Sequence, residues 1–152
     1  MASLSPLLAG FYERDLLKVK EEIDLYPDEQ SIWSLSPGIN NSAGTLCLHI
    51  AGNLLHFIGA TLGNTGYIRE RDREFSLRNI PRAELHAQLD QALIDIRRIM
   101  PALTDEQLQQ NFPLEKHGET VTTAHMLVHL LGHLGYHLGQ INYHRRMITT
   151  PA

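Results

Sequence analysis

Two long stretches of this chain carry no charged side chain, and this feature limits the possible folds more than any other. No Asp, Glu, Lys or Arg occurs at residues 30–68 or at residues 120–144. Apolar residues recur in both stretches with helical spacing. An uncharged helix is stable when it is buried in a protein core or in a membrane. We therefore expect the two stretches to form the buried pair of helices in an all-α protein.

Polar side chains within these stretches argue against the membrane alternative. His49, Asn53 and His56 interrupt the first stretch, and several histidines with Gln140 and Asn142 interrupt the second. Ionisable and amide groups are costly inside a bilayer and therefore rare there. The composition, with 43% hydrophobic and 20% charged residues, is also that of an ordinary globular domain. We expect no membrane-spanning segment.

Helical periodicity predicts four long helices in one domain that covers residues 1–152. The predicted helices cover residues 6–26, 42–62, 81–100 and 122–148. Thr104 and Gln107 have the spacing of a capping box, which predicts a short extra helix at residues 104–111. A small hairpin or loop with a turn at His117–Gly118 is expected before the last helix. Four long helices with moderate connections predict a four-helix bundle.

Nine histidines occur in 152 residues, and most of them fall on the two uncharged helices. On the last helix, His133 and His137 are one turn apart at the edge of the apolar face, so that both imidazoles can reach one ion. On the second helix, His49, Asn53 and His56 share one face. A third imidazole can therefore come from His49 or from His56.

Burial provides the physical argument for a metal ion. A buried imidazole without a hydrogen-bond partner costs a few kcal/mol, so a cluster needs a shared partner. Neutral imidazole suits divalent transition metals, with zinc or nickel favoured and iron, manganese or copper also open. Neither histidine-bearing helix contains a carboxylate, so three histidines are the natural ligand set, with the fourth position open as in catalytic zinc sites. A plain bundle without metal predicts instead that His49 lies far from His133.

The last helix resembles the DinB-like superfamily of metal-binding four-helix bundles. Its segment HLLGHLGYHLGQI resembles the family signature H-x-x-x-H-x-G-Q-I at five positions, which are His133, His137, Gly139, Gln140 and Ile141. The segment LHIAGNLLHFIG resembles the family helix with the first metal histidine, which falls on His49. The lead-in SIWSLSPGINNSAGTL also looks like that family, and the R-x-R-D-x-E-F run from Arg69 resembles one uncharacterised branch.

This resemblance implies an up-down-down-up bundle with the long connection between the second and third helices. It also implies a metal ion held by His49, His133 and His137, and frequent homodimers. Some members of the superfamily are thiol-dependent transferases or isomerases that use zinc. That activity is not transferred to this chain, because no residue marks a thiol-binding pocket.

Two functions from different classes follow. The first is an enzyme, a metal-dependent thiol transferase or hydrolase acting on a small molecule, in which no catalytic residue can yet be assigned. There Gln140 or Asn53 would orient the substrate, and His129 or His56 would move protons. The alternative is a non-catalytic, metal-stabilised dimeric interaction module. A substrate-sized pocket beside an open metal position favours the enzyme, and a fully ligated ion favours the module.

Charge and cysteine content set the remaining expectations. The net charge of −4 gives no basic surface for nucleic acid, and no nucleic-acid partner is expected. The single cysteine, Cys47, allows no internal disulfide, and no apolar secretory segment is visible at the N-terminus, so a cytoplasmic location is expected. The charged connector at residues 69–75 is interpreted as a solvated loop with weak ion pairs, and otherwise as a lid or a dimer contact.

Overall fold

The computed structural model of this chain describes residues 3–149, which form an all-helical fold, as the periodicity predicts. The helices are α1 (Leu4–Asp24), α2 (Glu29–Ile32), α3 (Ala43–Leu54), α4 (Thr61–Gly63), α5 (Arg71–Ser76), α6 (Arg82–Ile99), α7 (Asp105–Gln109) and α8 (Thr123–Thr149). A π-helical segment, Leu55–Ala60, joins α3 to α4, and a 3-10 turn, Met100–Ala102, follows α6.

The four longest helices pack in a closed ring. α1 contacts α8 and α6, and α3 contacts the same two helices from the other side. Their apolar faces meet in one core, where Leu16, Ile23, Leu85, Leu89 and Leu127 have no exposed surface. Burying each such side chain contributes about 1.5–3 kcal/mol, so this core stabilises the packing of the helices.

Local capping signals set several helix ends. The Ser42 side chain accepts a hydrogen bond from the Thr45 backbone N–H at 3.1 Å, which begins α3. The predicted capping box of Thr104 and Gln107 is present at α7. That helix ends at Gln109, two residues before the predicted end, and α1 is displaced by two residues towards the N-terminus. Such offsets are ordinary, because pattern arguments locate helix ends less well than helix centres.

The predicted hairpin before the last helix is present without a regular strand in the described residues. Two isolated antiparallel bridges join Asn111 to Thr122 and Lys116 to Glu119. His117 and Gly118 both have positive φ, at 50° and 79°, which is the backbone of a tight hairpin turn. Because the hairpin precedes α8 directly, its tip lies near the histidine-bearing part of that helix.

The expectation that the two uncharged helices form the buried pair holds for α3, whereas α8 is buried on one face only. All residues of α3 are buried. On α8, by contrast, Val128, Tyr136 and Tyr143 are 54%, 65% and 66% exposed. Most exposed residues of α8 are His, Gly, Tyr and Gln, which tolerate water without carrying a full charge, and Val128, Arg146 and Met147 are exposed with them. A stretch without charged residues therefore does not need to be buried on all sides, because its outer face can be exposed and uncharged.

One helical rod is long and apolar enough to span a membrane by length and composition. This rod runs over Ala43–Gly63. Its most apolar part has a mean hydropathy of 1.4, and 67% of that part is buried inside the fold. Packing of α3 against α5, α6 and α8 accounts for this apolar character, because a central helix must be apolar all round.

Candidate metal centre

Three imidazoles converge where α3 faces α8. The Nε2 atom of His133 lies 3.0 Å from Nε2 of His49 and 3.1 Å from Nε2 of His137. The ligand atoms of all three side chains lie within 4.8 Å of one another, close enough to hold one metal ion. The interpretation in which His49 lies far from His133 is therefore wrong, and His49 rather than His56 supplies the third imidazole.

Hydrogen bonds at the opposite ring nitrogens set the tautomers of two of these histidines. Nδ1 of His49 donates to Oε1 of Glu74 at 3.0 Å, and Nδ1 of His137 donates to Oε1 of Gln140 at 2.7 Å. A neutral imidazole has one N–H, so the Nε2 atoms of His49 and His137 carry lone pairs. Both lone pairs are directed at Nε2 of His133.

This arrangement fits a cation better than a set of hydrogen bonds among imidazoles. A neutral His133 has one proton on Nε2 at most, and it can donate that proton either to His49 or to His137. The lone pair of the remaining histidine would then point at Nε2 of His133 with no proton between the two nitrogens. A metal ion accepts all three lone pairs. Two nitrogens on a tetrahedral zinc lie about 3.3 Å apart when each bond is about 2.05 Å, close to the separations of 3.0 and 3.1 Å found here. The donor set thus fits a divalent transition metal.

A buried carboxylate behind His49 was not expected from the sequence. Glu74 is 6% exposed on α5, and it accepts a hydrogen bond from His49 and two from Arg69, both at 2.8 Å. The interpretation of residues 69–75 as a solvated loop is wrong at this position, because the Glu74 side chain is buried and forms an ion pair with Arg69. A carboxylate that fixes the second nitrogen of a metal histidine is a recurring feature of metal sites.

A glycine on α3 allows this approach. A Cβ atom at Gly52 would lie only 2.0 Å from Oε2 of Glu74, so any larger residue would collide with the carboxylate. The ring of Phe75 packs beside His49 with centroids 4.9 Å apart. The sequence signals for this contact are weak: Gly52 lies one turn from His49, and Glu74 stands in the charged run from Arg69.

The site favours neutral imidazoles together with an ionised carboxylate. Burial, followed by the nearby imidazoles of His137 and His49, lowers the pKa of His133 to about 4. Burial also lowers the pKa of His137, against the opposing effect of the hydrogen bond that His137 donates to Gln140. Burial alone would raise the pKa of Glu74, but hydrogen bonds from His49 and Arg69 outweigh it and lower that pKa. These are the protonation states that metal binding needs.

An open cleft of about 350 Å³ adjoins His49 and His133, two of the three histidines. His49 and His133 line its inner end, and His129, Lys116 and His117 line its outer part with other side chains of the connector and the hairpin. Its volume lies in the range of about 300–1,000 Å³ that is usual for small-molecule sites. A ligand of modest size can therefore reach the Nε2 face of the histidines.

The other four predicted site residues occupy different positions relative to the histidines and the cleft. Asn53 and His129 line the cleft, as expected for residues on the substrate side. Gln140 instead bonds to Nδ1 of His137 and orients a ligand ring. His56 lies in the π-helical segment with its ring against Phe57, at 4.7 Å between centroids, and it is absent from the cleft lining. The geometry gives no support to His56 as a proton carrier.

Comparison with known protein families yields one match. The model of a family described as "Protein of unknown function (DUF1572)" matches residues 13–151. That span includes every residue of the histidine centre and of the cleft. No curated protein matches the chain.

Proposed function

The chain belongs to the DUF1572 family, and on this premise we propose that it is a metal-dependent enzyme acting on a small molecule. The observation that carries the proposal is the meeting of three Nε2 atoms, from His49, His133 and His137, at the inner end of an open cleft. Three protein ligands leave a coordination position free, and the cleft gives a ligand access to it.

The residues present would hold zinc or nickel best, and iron, manganese and copper also accept imidazole donors. When bound, such an ion acts as a Lewis acid and lowers the pKa of a water or a thiol towards neutrality. This chemistry supports a hydrolase or a thiol transferase. Glu74 and Gln140 fix the rings of His49 and His137, while Asn53 and His129 face the cleft, where they can orient a substrate or move a proton.

We also propose that the fold is a four-helix bundle of the DinB-like, up-down-down-up type. The closed ring of contacts among α1, α3, α6 and α8 supports it, and so does the long connection that contains α5 between α3 and α6. The three metal histidines then lie on two facing helices of the bundle, which is the usual place for metal sites in such folds.

A second candidate function is a non-catalytic, metal-stabilised dimeric module, in a cytoplasmic setting as for the enzyme. The observation that favours it is the outer face of α8, where Val128, Tyr136, Tyr143 and Met147 are each more than half exposed. Aromatic side chains and methionine are enriched in protein interfaces. A homodimer through this face is compatible with either function.

Activity assays on one set of samples test the enzyme. Metal-loaded protein is assayed for thiol transfer to an electrophile and for hydrolysis of small esters, beside chelated protein and the H133A variant. We expect an activity that chelation removes, that added metal restores, and that falls at least a hundredfold in H133A. H125A is the matched control, because His125 is an exposed histidine of the same helix and is absent from the cleft lining. Activity that survives both chelation and H133A would contradict a metal-dependent mechanism.

A further inference from the structure

We propose that the cleft beside the three histidines binds a small organic anion, whose acidic group contacts Arg71 and Lys116. The inference rests on the proposed function, because it names the class of substrate for the same site. It goes further because it assigns ligand recognition to the side chains of Arg71 and Lys116, which the metal chemistry does not require. The anionic group is a carboxylate or a phosphate, which present similar acceptor oxygens to a guanidinium or an ammonium group.

The first support is an excess of positive charge in the cleft wall. Arg69, Arg71 and Lys116 line the cleft, and Glu115 is the acidic residue among the lining residues. Arg69 is already neutralised by Glu74, to which it donates two hydrogen bonds. Within residues 3–149, neither Arg71 nor Lys116 forms an ion pair with a carboxylate. Two cations beside one acid leave this wall attractive to an anion.

The position of Arg71 suits a binding role. Its guanidinium carbon lies 5.0 Å from the centre of the Phe75 ring, and Phe75 packs in turn on His49. Stacking on an aromatic ring restrains a guanidinium group and leaves its N–H groups free to donate. Arg71 is therefore held near the metal histidines by an apolar contact, with its donors available for a ligand.

The second support is an unpaired acceptor inside the cleft. Asn53 is 7% exposed and lines the cleft, and its Oδ1 atom is buried with no hydrogen-bond partner. Leaving a buried acceptor unpaired destabilises the protein, because the acceptor has lost its water without gaining a donor. The terminal amide torsion of asparagine is broad, so a small rotation turns the amide towards the cleft. A hydroxyl or amine on the ligand would supply the missing donor.

The pKa of His129, which also lines the cleft, responds to the charge of Lys116. Burial lowers the pKa of His129, and the charge of Lys116 lowers it further. A metal ion on three neutral imidazoles would add two positive charges at the inner end of the cleft, because none of those three ligands is a carboxylate. Both ends of the cleft then favour an anion over a neutral molecule of equal size.

Calorimetric titrations of the zinc-loaded protein test the inference. Glutarate is the carboxylate probe, inorganic phosphate is the phosphate probe, and glutaramide is a neutral molecule with nearly the shape of glutarate. We expect at least one anion to bind, and glutaramide to bind at least tenfold more weakly than glutarate. R71Q and K116Q should each weaken anion binding about three- to thirtyfold, because each removes a charged hydrogen bond. R98Q, at an exposed arginine of α6 outside the cleft lining, should match the parent.

The relative affinity of the two anions identifies the source of the acidic group. Tighter binding of glutarate assigns a carboxylate, and tighter binding of phosphate assigns a phosphate ester. Glutaramide binding as tight as that of the tighter anion, or R71Q and K116Q affinities equal to that of R98Q, would overturn the inference, as would no binding of either anion. The metal content of each sample is measured in parallel. Zinc retained without anion binding rejects this inference alone, whereas a parent protein that holds neither zinc nor any other transition metal rejects the proposed function.

Discussion

At the scale of single residues, Glu74 fixes the orientation and the tautomer of the His49 ring. Its carboxylate accepts the Nδ1 proton of His49 at 3.0 Å, which leaves the Nε2 lone pair directed at His133. Arg69 balances the charge of Glu74 within the same buried cluster. The orientation of one ligand ring thus depends on a side chain 25 residues away in the sequence.

We predict that E74Q weakens metal binding by about 10–100-fold, the usual effect of losing a partner behind a metal histidine. Glutamine keeps the size of the side chain but removes the charge, so that Arg69 is left without its partner and the Nδ1 proton of His49 is held less firmly. Competition titration against a coloured chelator measures the affinity. E70Q is the matched control, because Glu70 is exposed in the same connector and pairs with Arg73 at the surface.

An affinity of E74Q equal to that of E70Q would show that Glu74 does not orient the ligand. The sequence alone could not have identified Glu74. A run of charged residues directly precedes it and looks solvated, and its burial depends on a long-range contact. The histidines differ in this respect, because the separation of His133 from His137 is local and follows from helical geometry alone.

At the scale of helices, the approach of α5 to α3 depends on Gly52. The absent side chain leaves room for the Glu74 carboxylate, which would otherwise lie 2.0 Å from a Cβ atom. A glycine inside a helix costs about 1 kcal/mol relative to alanine. The loss in helix propensity is offset by the hydrogen bonds that this close approach allows.

We predict that G52A lowers the free energy of unfolding by about 1–3 kcal/mol, the usual cost of overpacking, and also weakens metal binding. Urea unfolding of the metal-free protein measures the first effect, and the chelator titration measures the second. G132A is the control, because a Cβ atom at Gly132 in α8 would meet no other atom within 4 Å. Alanine there should leave stability equal or higher. If G52A behaves like G132A, then α5 does not need this close approach.

Helical periodicity predicted the four long helices because each has an apolar stripe that repeats over several turns. It did not predict α5, which spans only Arg71–Ser76 and is made mostly of charged residues. It also overstated the burial of α8, where Tyr136 and Tyr143 lie in an uncharged but exposed face. Short helices and outer faces are set by tertiary contacts, which a local pattern does not contain.

At the scale of the whole molecule, the metal centre joins parts of the chain that are far apart in sequence. His49 and His133 are separated by 84 residues, yet their Nε2 atoms lie 3.0 Å apart. The core formed by α1, α3, α6 and α8 brings them together, so the packing of the four helices builds the site. An ion that binds only the folded chain then adds to its stability by mass action.

The central claim is that these three imidazoles share one metal ion. Elemental analysis of protein purified without a histidine tag tests it most directly, with H133A and the H125A control prepared in the same way. We predict about one transition-metal ion per chain in the parent and in H125A, and almost none in H133A, because two imidazoles hold an ion much less tightly than three. Equal trace amounts of metal in all three proteins would contradict the claim.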